Sequence, residues 1–425
     1  MMSRQAAPIS PFGNDRRSRT ILLGVVLIAV VVRIAAIAVL RQPLEGDSLN
    51  YFVMAHMMAS RHELVDAFGL RAFFSAGYPF LLLPFFLLLG SSVATALLVN
   101  LICAAVSVVL VFNLTLRLSR RRDAALLAAL GFALWLPAIW NATLVAKENL
   151  STPLVLALAL CALRIADGRR PIACGFLVGL IWAAGVLTGG SSILLCGGVA
   201  VALIQLWRRE RRLAVPLRAG LLAVIGAALI LAPWLYRNDR AVGAPVLSTN
   251  AAFNLYIGNN PAADGRFVSM AKTPMGRNWN ATRLALGELA STDLLKQQTL
   301  AWIAANPGKT AGLAVRKLGY FWQPDLPDAA DFARSRALGA IRLIEVLQYL
   351  AIVVLGALGL ASPVLAARDR WVLLAMIGGF WVVHAAAYII PRYRDPIIPL
   401  LIVAASIRLV SWLQATARRV PVHAL

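Results

Sequence analysis

The sequence predicts an all-α polytopic membrane protein, and three observations carry that expectation. Of 425 residues, 60% are hydrophobic and 14% charged, whereas soluble domains carry roughly 25% charged residues. Apolar runs of the ~20 residues needed to cross a bilayer recur along the chain. Between them sit short arginine clusters, the usual mark of loops on the cytoplasmic side. The 41 Lys+Arg against 19 Asp+Glu give a formal charge of +22. In the short clusters between apolar runs the excess reads as an orientation signal and not as a nucleic-acid surface, and the positive residues of the long 237–337 stretch do not disturb it, because long loops translocate largely regardless of charge. A cytosolic globular enzyme and a disordered chain are both excluded.

About ten crossings are expected, near 20–40, 92–116, 124–141, 150–166, 172–188, 191–207, 217–236, 338–360, 371–390 and 396–413. The first run is too long and too evenly apolar for a signal peptide, and no small-residue cleavage site follows it. Residues 76–90 (AGYPFLLLPFFLLLG) are short for a span and carry Pro79 and Pro84. Counted as a crossing, they would put Arg117, Arg120, Arg121 and Arg122 outside, so a re-entrant or interfacial helix is expected. The clusters at 16–19, 117–122, 164–170, 208–218, 368–370 and 418–419 then all face the cytoplasm, with both termini.

Two pieces remain outside: the first outer loop, 41–90, and a polar stretch, 237–337, with turn signals GNNP, NPG and QPDLP and a helical pattern around 292–305. The expected organisation is an N-terminal transmembrane module (1–236), a small α-rich extracytoplasmic domain (237–337) and a C-terminal transmembrane module (338–425). Cys103, Cys161, Cys174 and Cys196 all fall in apolar runs, as small packing residues and not as disulfide or metal frameworks.

Ionic side chains at a membrane face are costly and therefore mark function. This map collects Arg33, Glu45, Asp47, Lys147, Glu148, Arg237, Arg392 and Arg394 near the outer face. After the first span, Pro43 and Gly46 stop the helix and Asp47-Ser48 offer an N-cap to a helix over about 49–60. Tyr51 falls on the same face as Asp47, four residues on. A plain N-cap aspartate is the alternative reading, and Glu45 competes for the catalytic role. Lys147 and Glu148 stand at the lip of the fourth crossing; they face a site or, alternatively, reach water as an interfacial pair. Arg392, Tyr393 and Arg394 lie in the last outer turn, against the inside preference. Arginine's fork of donors suits a phosphate or carboxylate, with headgroup anchoring the alternative. Arg237 and Arg33 are weaker candidates of the same type, Arg33 with the option of a carboxylate partner inside the bundle. Gly258-Asn259-Asn260-Pro261 is good turn chemistry. Phe253 and Tyr256 are expected chiefly to pack, and Phe321 and Trp322 to sit in an interfacial aromatic belt. His56, His62, His384 and His423 lack ligand spacing and no DxD-type pair occurs, so no metal or other cofactor is expected.

The sequence resembles bacterial GT-C membrane glycosyltransferases, a superfamily that includes protein O-mannosyltransferases and the lipid A aminoarabinose transferase. The resemblance rests on the GDxxxY element Gly46-Asp47…Tyr51, the AGYP segment Ala76–Pro79, Glu148 at a later outer turn, and the closing RYRxPxxP from Arg392 to Pro399. The stretch APWLYRNDRAVGAPVLSTNAAFNLYIGNNPAADGRF looks like the smaller bacterial members. A GT-C-like fold is therefore expected. The resemblance implies Asp47 as catalytic base, Glu148 as a second acidic residue near acceptor or donor, and Arg392 and Arg394 near a donor phosphate. Tyr51, Tyr78, Lys147, Arg237, Tyr393, Asn259 and Asn260 complete the candidate substrate contacts. One departure stands out: many relatives carry a basic residue after the threonine ending the fifth span, where this chain reads Thr188-Gly189-Gly190-Ser191.

The implied reaction moves one sugar from a polyprenyl-phosphate carrier, undecaprenyl phosphate, to a hydroxyl of a glycan, lipid or protein of the cell envelope. It would run on the periplasmic face of a bacterial inner membrane, with inversion in a single displacement. A flippase or transporter of lipid-linked saccharides, and a polymerase or ligase of them, are the alternatives.

Overall fold

The computed structural model describes residues 16–327 and 335–417. A bilayer offers no hydrogen-bond partners, so a chain this apolar satisfies its backbone within helices. Among the described residues there is no strand, only an isolated parallel bridge between Arg266 and Ile389. The N-terminal half contains α1 (Arg16–Leu40), α2 (Gly46–Arg61), α3 (Gly77–Leu89), α4 (Val93–Ser119), α5 (Arg122–Ala133), α6 (Leu136–Ala142), α7 (Glu148–Ala166), α8 (Pro171–Thr188), α9 (Cys196–Glu210) and α10 (Ala214–Val242). Four helices follow outside the apolar runs: α11 (Asn250–Gly258), α12 (Trp279–Leu286), α13 (Glu288–Ala305) and α14 (Pro307–Trp322). The chain closes with α15 (Arg336–Ala361), α16 (Ala367–His384), a 3-10 turn Pro391–Arg394 and α17 (Ile398–Ala417). The Arg418–Arg419 cluster, His423 and residues 328–334 of the outer stretch lie outside the described residues.

Every expected apolar run is helical. Among the described residues eight helices are long and apolar enough to cross a membrane, counting α9 together with the 3-10 turn Gly190–Leu195 that leads into it, and α5 with α6, bent by 51°, makes a ninth. The bend falls where Pro137 enters α6, because the residues before a proline leave the α region. The tenth run is α16, whose 18 residues carry Arg368, Asp369 and Arg370 in the first turn; it stops at His384 instead of running to 390. Residues 76–90 form the short helix α3, with Pro84 inside it.

Lipid-facing sides are apolar and exposed, as in Leu23, Leu27 and Val31 of α1 and Leu221, Val224 and Leu229 of α10. The interior is closed by α4, α5, α7, α16 and α17, whose buried residues form the main core. Helices α8 and α10 meet closely along Gly175, Gly179 and Gly226, where an added Cβ would strike the facing backbone, the small-residue packing typical of membrane helices. Arg117, Asp167, Arg368 and Asp369 join at one end of the bundle. Glu148 and Asp167 bound the two ends of α7, so the candidate residues at Glu148 lie at the opposite end, about 28 Å away at 1.5 Å rise per residue.

The outer helices have a small core of Ala252, Tyr256, Ile257, Trp279, Leu295 and Tyr388. The pattern expected around 292–305 is the C-terminal part of α13. Phe321 departs from the expected belt: it is 1% exposed and packs on His384 and Trp322, because α14 turns its Leu313–Lys317–Phe321 stripe inward. Three of the cysteines are buried as expected, but Cys196 is exposed at the start of α9.

Candidate active site

The mouth at the end of the bundle opposite the Arg117 cluster is assembled by three backbone devices. Glu45, in extended conformation, precedes α2 as its N-cap without a side-chain capping bond, so Asp47 is not the cap but lies in the first turn. There the helix dipole favours its carboxylate, and its side chain is left free to reach across. On α3, a Cβ at Gly77 would collide with Thr188, which pins the start of α3 to the end of α8. At the end of α11, a Cβ on Gly258 would collide with the Ala387 carbonyl. That close approach sets the path of the chain into the Pro391–Arg394 turn.

Across 345 residues of sequence, Arg392 Nη2 donates to Asp47 Oδ2. Its Nε lies 3.7 Å from Glu148 Oε1, so one guanidinium bridges both acidic candidates. The three differ in exposure: Glu148 is 6% exposed, Arg392 36% and Asp47 40%. Burial works against the charge of Arg392, yet the Glu148 and Asp47 carboxylates hold it protonated beyond its ordinary range. Arg392 Nε makes no hydrogen bond. The buried end of the site is therefore a fixed anion, the middle a partly free guanidinium, and the open end a carboxylate facing solvent.

Lys147 ends the α6–α7 turn beside Glu148. Its Nζ lies 3.8 Å from the point where a side chain on Gly189 would begin. Lys147 thus brings a positive charge beside the Thr188-Gly189-Gly190-Ser191 stretch from another loop. Tyr393 stacks beside Tyr388 and His384, and burial first, then the Tyr388 hydroxyl, push its phenol up.

Other expected contacts lie elsewhere. Arg394 is 6% exposed and turns away from Arg392. It donates to the Phe321 and Gln323 carbonyls and lies 4.0 Å over the Tyr349 ring, so it anchors the turn and does not pair with Arg392 at a phosphate. Tyr78 is fully buried and donates to Asn100 Oδ1 at 2.5 Å, with Tyr51 packed edge-on against it. Both tyrosines build the wall under α2. Asn259 donates to the Leu255 and Ala386 carbonyls and accepts from buried Lys317. Asn260 likewise ties its own turn through Tyr256, Ile257 and Ala262. Their side-chain amides bond chiefly to backbone, which is the turn chemistry of GNNP.

Arg237 clips the first outer loop, donating to Leu64 O at 2.8 Å and Arg71 O at 2.6 Å. It lines a separate cavity of about 730 Å³ with Met58, Phe80, Leu187 and Trp234. Glu288 ties the same loop to α13 by accepting from the amides of Arg71 and Ala72 and the hydroxyl of Thr249.

Arg33 has no ion pair. Its Nη1 donates to Ala29 O and to Ala133 O, the latter at the end of α5, where a cation is favoured by the helix dipole. Its Nε and Nη2, and Trp135 Nε1, find no protein partner. Arg33 and Trp135 line a small cavity of about 20 Å³ with Glu148 and Asp395. Asp395 went unnoticed in the sequence although it stands inside RYRDP; its signal was a carboxylate between two arginines and a proline at a span's edge. It is buried and accepts from Asn141 Nδ2 at 2.7 Å.

Residues 76–236 match the family model described as dolichyl-phosphate-mannose-protein mannosyltransferase. No curated protein matches the chain. Among solved structures it is similar to the archaeal oligosaccharyltransferase AglB from Archaeoglobus fulgidus in complex with an inhibitory peptide and a dolichol-phosphate. That alignment has a TM-score of 0.54 and 14% identity, over 96% of this chain and 52% of that one, so the chain spans about half the archaeal protein's length. A second similar structure, ArnT from Cupriavidus metallidurans bound to undecaprenyl phosphate, has a TM-score of 0.47 and 13% identity, over 94% of this chain and 81% of that one. With eight helices among the described residues long and apolar enough to cross a membrane and the archaeal structure aligned along nearly all of this chain, it is a multi-pass membrane protein whose fold is similar to that of the archaeal oligosaccharyltransferase.

Proposed function

We propose that the protein is an inverting membrane glycosyltransferase that moves a single sugar from a polyprenyl phosphate to a hydroxyl of an envelope acceptor. The observation that carries this reading is the Asp47–Arg392–Glu148 group, which joins the first outer loop to the last outer turn at one end of the bundle. The matched family and the archaeal structure both carry a dolichyl phosphate in their descriptions. Undecaprenyl phosphate is the carrier this reading assigns, with the mouth on the periplasmic side of the inner membrane, opposite the arginine clusters.

The division of labour follows from exposure. Asp47, at the open mouth, accepts the proton of the acceptor hydroxyl as its oxygen attacks the anomeric carbon. Arg392 donates to the departing phosphate as the glycosidic bond breaks, with Lys147 as a second cation. Phosphate and Asp47 then compete for the same guanidinium, so donor binding loosens the ion pair and frees the base. Glu148, buried behind Arg392, keeps the guanidinium from following the phosphate away.

Mass spectrometry of envelope lipids and glycans from cells with and without the gene tests the reading. A missing single-sugar increment identifies both sugar and acceptor; identical profiles overturn it.

A further inference from the structure

Arg392 is shared between two carboxylates, and a third, Asp395, lies behind Glu148 on the wall of a small cavity that also holds the buried Arg33. Asp47 and Glu148 both pair with Arg392, while the next cation, Arg394, is spent on the carbonyls of Phe321 and Gln323. Asp395 makes no ion pair among the described residues; its protein partner is the neutral Asn141 amide. It is therefore the carboxylate that gains a proton without breaking an ion pair. Two buried carboxylates in a common site resist joint ionisation, and an arriving phosphate adds a further anion.

The small cavity between Glu148 and Asp395 gives such a proton a place. Its 20 Å³ is room for about one water, which needs two to four polar partners. Unpartnered Arg33 Nε, Arg33 Nη2 and Trp135 Nε1 supply donors, and Glu148 and Asp395 supply acceptors on the same walls. A buried arginine keeps its charge, so a hydrated cavity is also what relieves those orphaned donors.

We propose that Asp395, sharing this hydrated cavity with Glu148 and Arg33, takes up one proton when a lipid phosphate binds at Arg392, and so balances the charge of the bound donor. The step adds a proton from water to a carboxylate oxygen and changes no other bond. It deepens the glycosyltransferase reading and rests on it. The charged groups around Asp395 are Arg33 on α1, Glu148 on α7, Glu345 on α15, and Arg392 and Arg394 on its own turn, with Asn141 as the neutral contact on α6. Burial raises its carboxyl to about 7; Asn141 and Arg394 oppose the rise, while Glu148 and Glu345 add to it. The group thus stands ionised just above neutrality and is readily protonated.

The test uses the purified full-length protein with undecaprenyl phosphate as probe. Calorimetry in two buffers of different ionisation enthalpy reads protons taken up per lipid bound, for the wild type and for Asp395→Asn, which keeps an acceptor for Asn141. Subtracting the variant removes the lipid's own titration. The wild type should take up more protons than the variant. About one pH unit above neutrality the variant should bind about tenfold more tightly, the equivalent of one pKa unit, and the two should converge in acid. Growth of the infrared band of a protonated carboxyl on adding lipid to the wild type checks the step without any variant. Equal proton uptake and equal pH dependence, with no such band, overturn the inference alone. Failure of the wild type to bind the lipid phosphate overturns the glycosyltransferase reading and this inference with it.

Discussion

Arg117 and Arg392 each bridge two carboxylates, one at either end of the bundle, and they are built differently. At the arginine-rich end, Arg117 meets Asp167 through Nε and Nη2 and Asp369 through Nη1 and Nη2, at 2.8 to 3.2 Å. All its nitrogens are occupied, and its side chain and that of Asp167 are each 15% exposed. At the other end Arg392 keeps a hydrogen-bond-free Nε and shares a half-open mouth with Asp47. The same pair of residue types makes a staple when every donor is satisfied and dry. It makes a reactive group when one donor and one carboxylate stay available. Counting ion pairs would not separate the two; unsatisfied donors and exposure do.

The comparison predicts opposite phenotypes. Asp47→Asn should lower transfer by roughly 10²–10⁴-fold, the value of a positioned base, with an unchanged melting curve. Near-wild-type transfer by the purified variant would remove Asp47 from that role. Arg392→Ala should cost about 10²–10³-fold, as for loss of one donor to a developing anion, and Arg392→Lys should recover part of it; equal rates for Ala and Lys would show that charge at this point is irrelevant. Arg117→Ala should instead destabilise by about 3 kcal/mol, the cost of leaving buried carboxylates unpaired, while the folded fraction keeps most of its turnover. Thermal unfolding in detergent, read beside a transfer assay, separates these outcomes.

The smallest expected effect concerns Lys317, the cation that holds Asn259 in the outer helices. Burial lowers its ammonium to about 8. Its unfolded value is higher, so the cost of burying the charge is present below about pH 8 and is relieved as pH rises from there. Melting of the outer helices should therefore rise through that window in the wild type, and the rise should vanish in Lys317→Met.

The bundle was largely legible in sequence because apolar runs are long and a bilayer forces them into helices. The Asp47–Arg392–Glu148 group was legible because ionic residues at a membrane face are scarce. Direction was not legible. Arg392 and Arg394 are two residues apart on one 3-10 turn, and only the carbonyls of Phe321 and Gln323 decide that one faces the mouth and the other the core. Tyr78, Asn259 and Asn260 carry polar groups that read as contacts until their partners, Asn100, Ala386 and Tyr256, are seen. Asp395 was masked by the arginines on its N-terminal side. Arg33 drew attention for the right reason, a charge inside a span, but its partners are backbone carbonyls that no pattern of side chains announces.

The ion pair between Asp47 and Arg392 also orders events during biosynthesis. A ribosome makes the first carboxylate early and the guanidinium only when the final helix is about to enter the bilayer. Until that last segment is inserted, no intermediate of translation owns both partners of the pair. A chain that stalls before its last turn leaves Asp47 without its counter-ion, however well its earlier helices have packed.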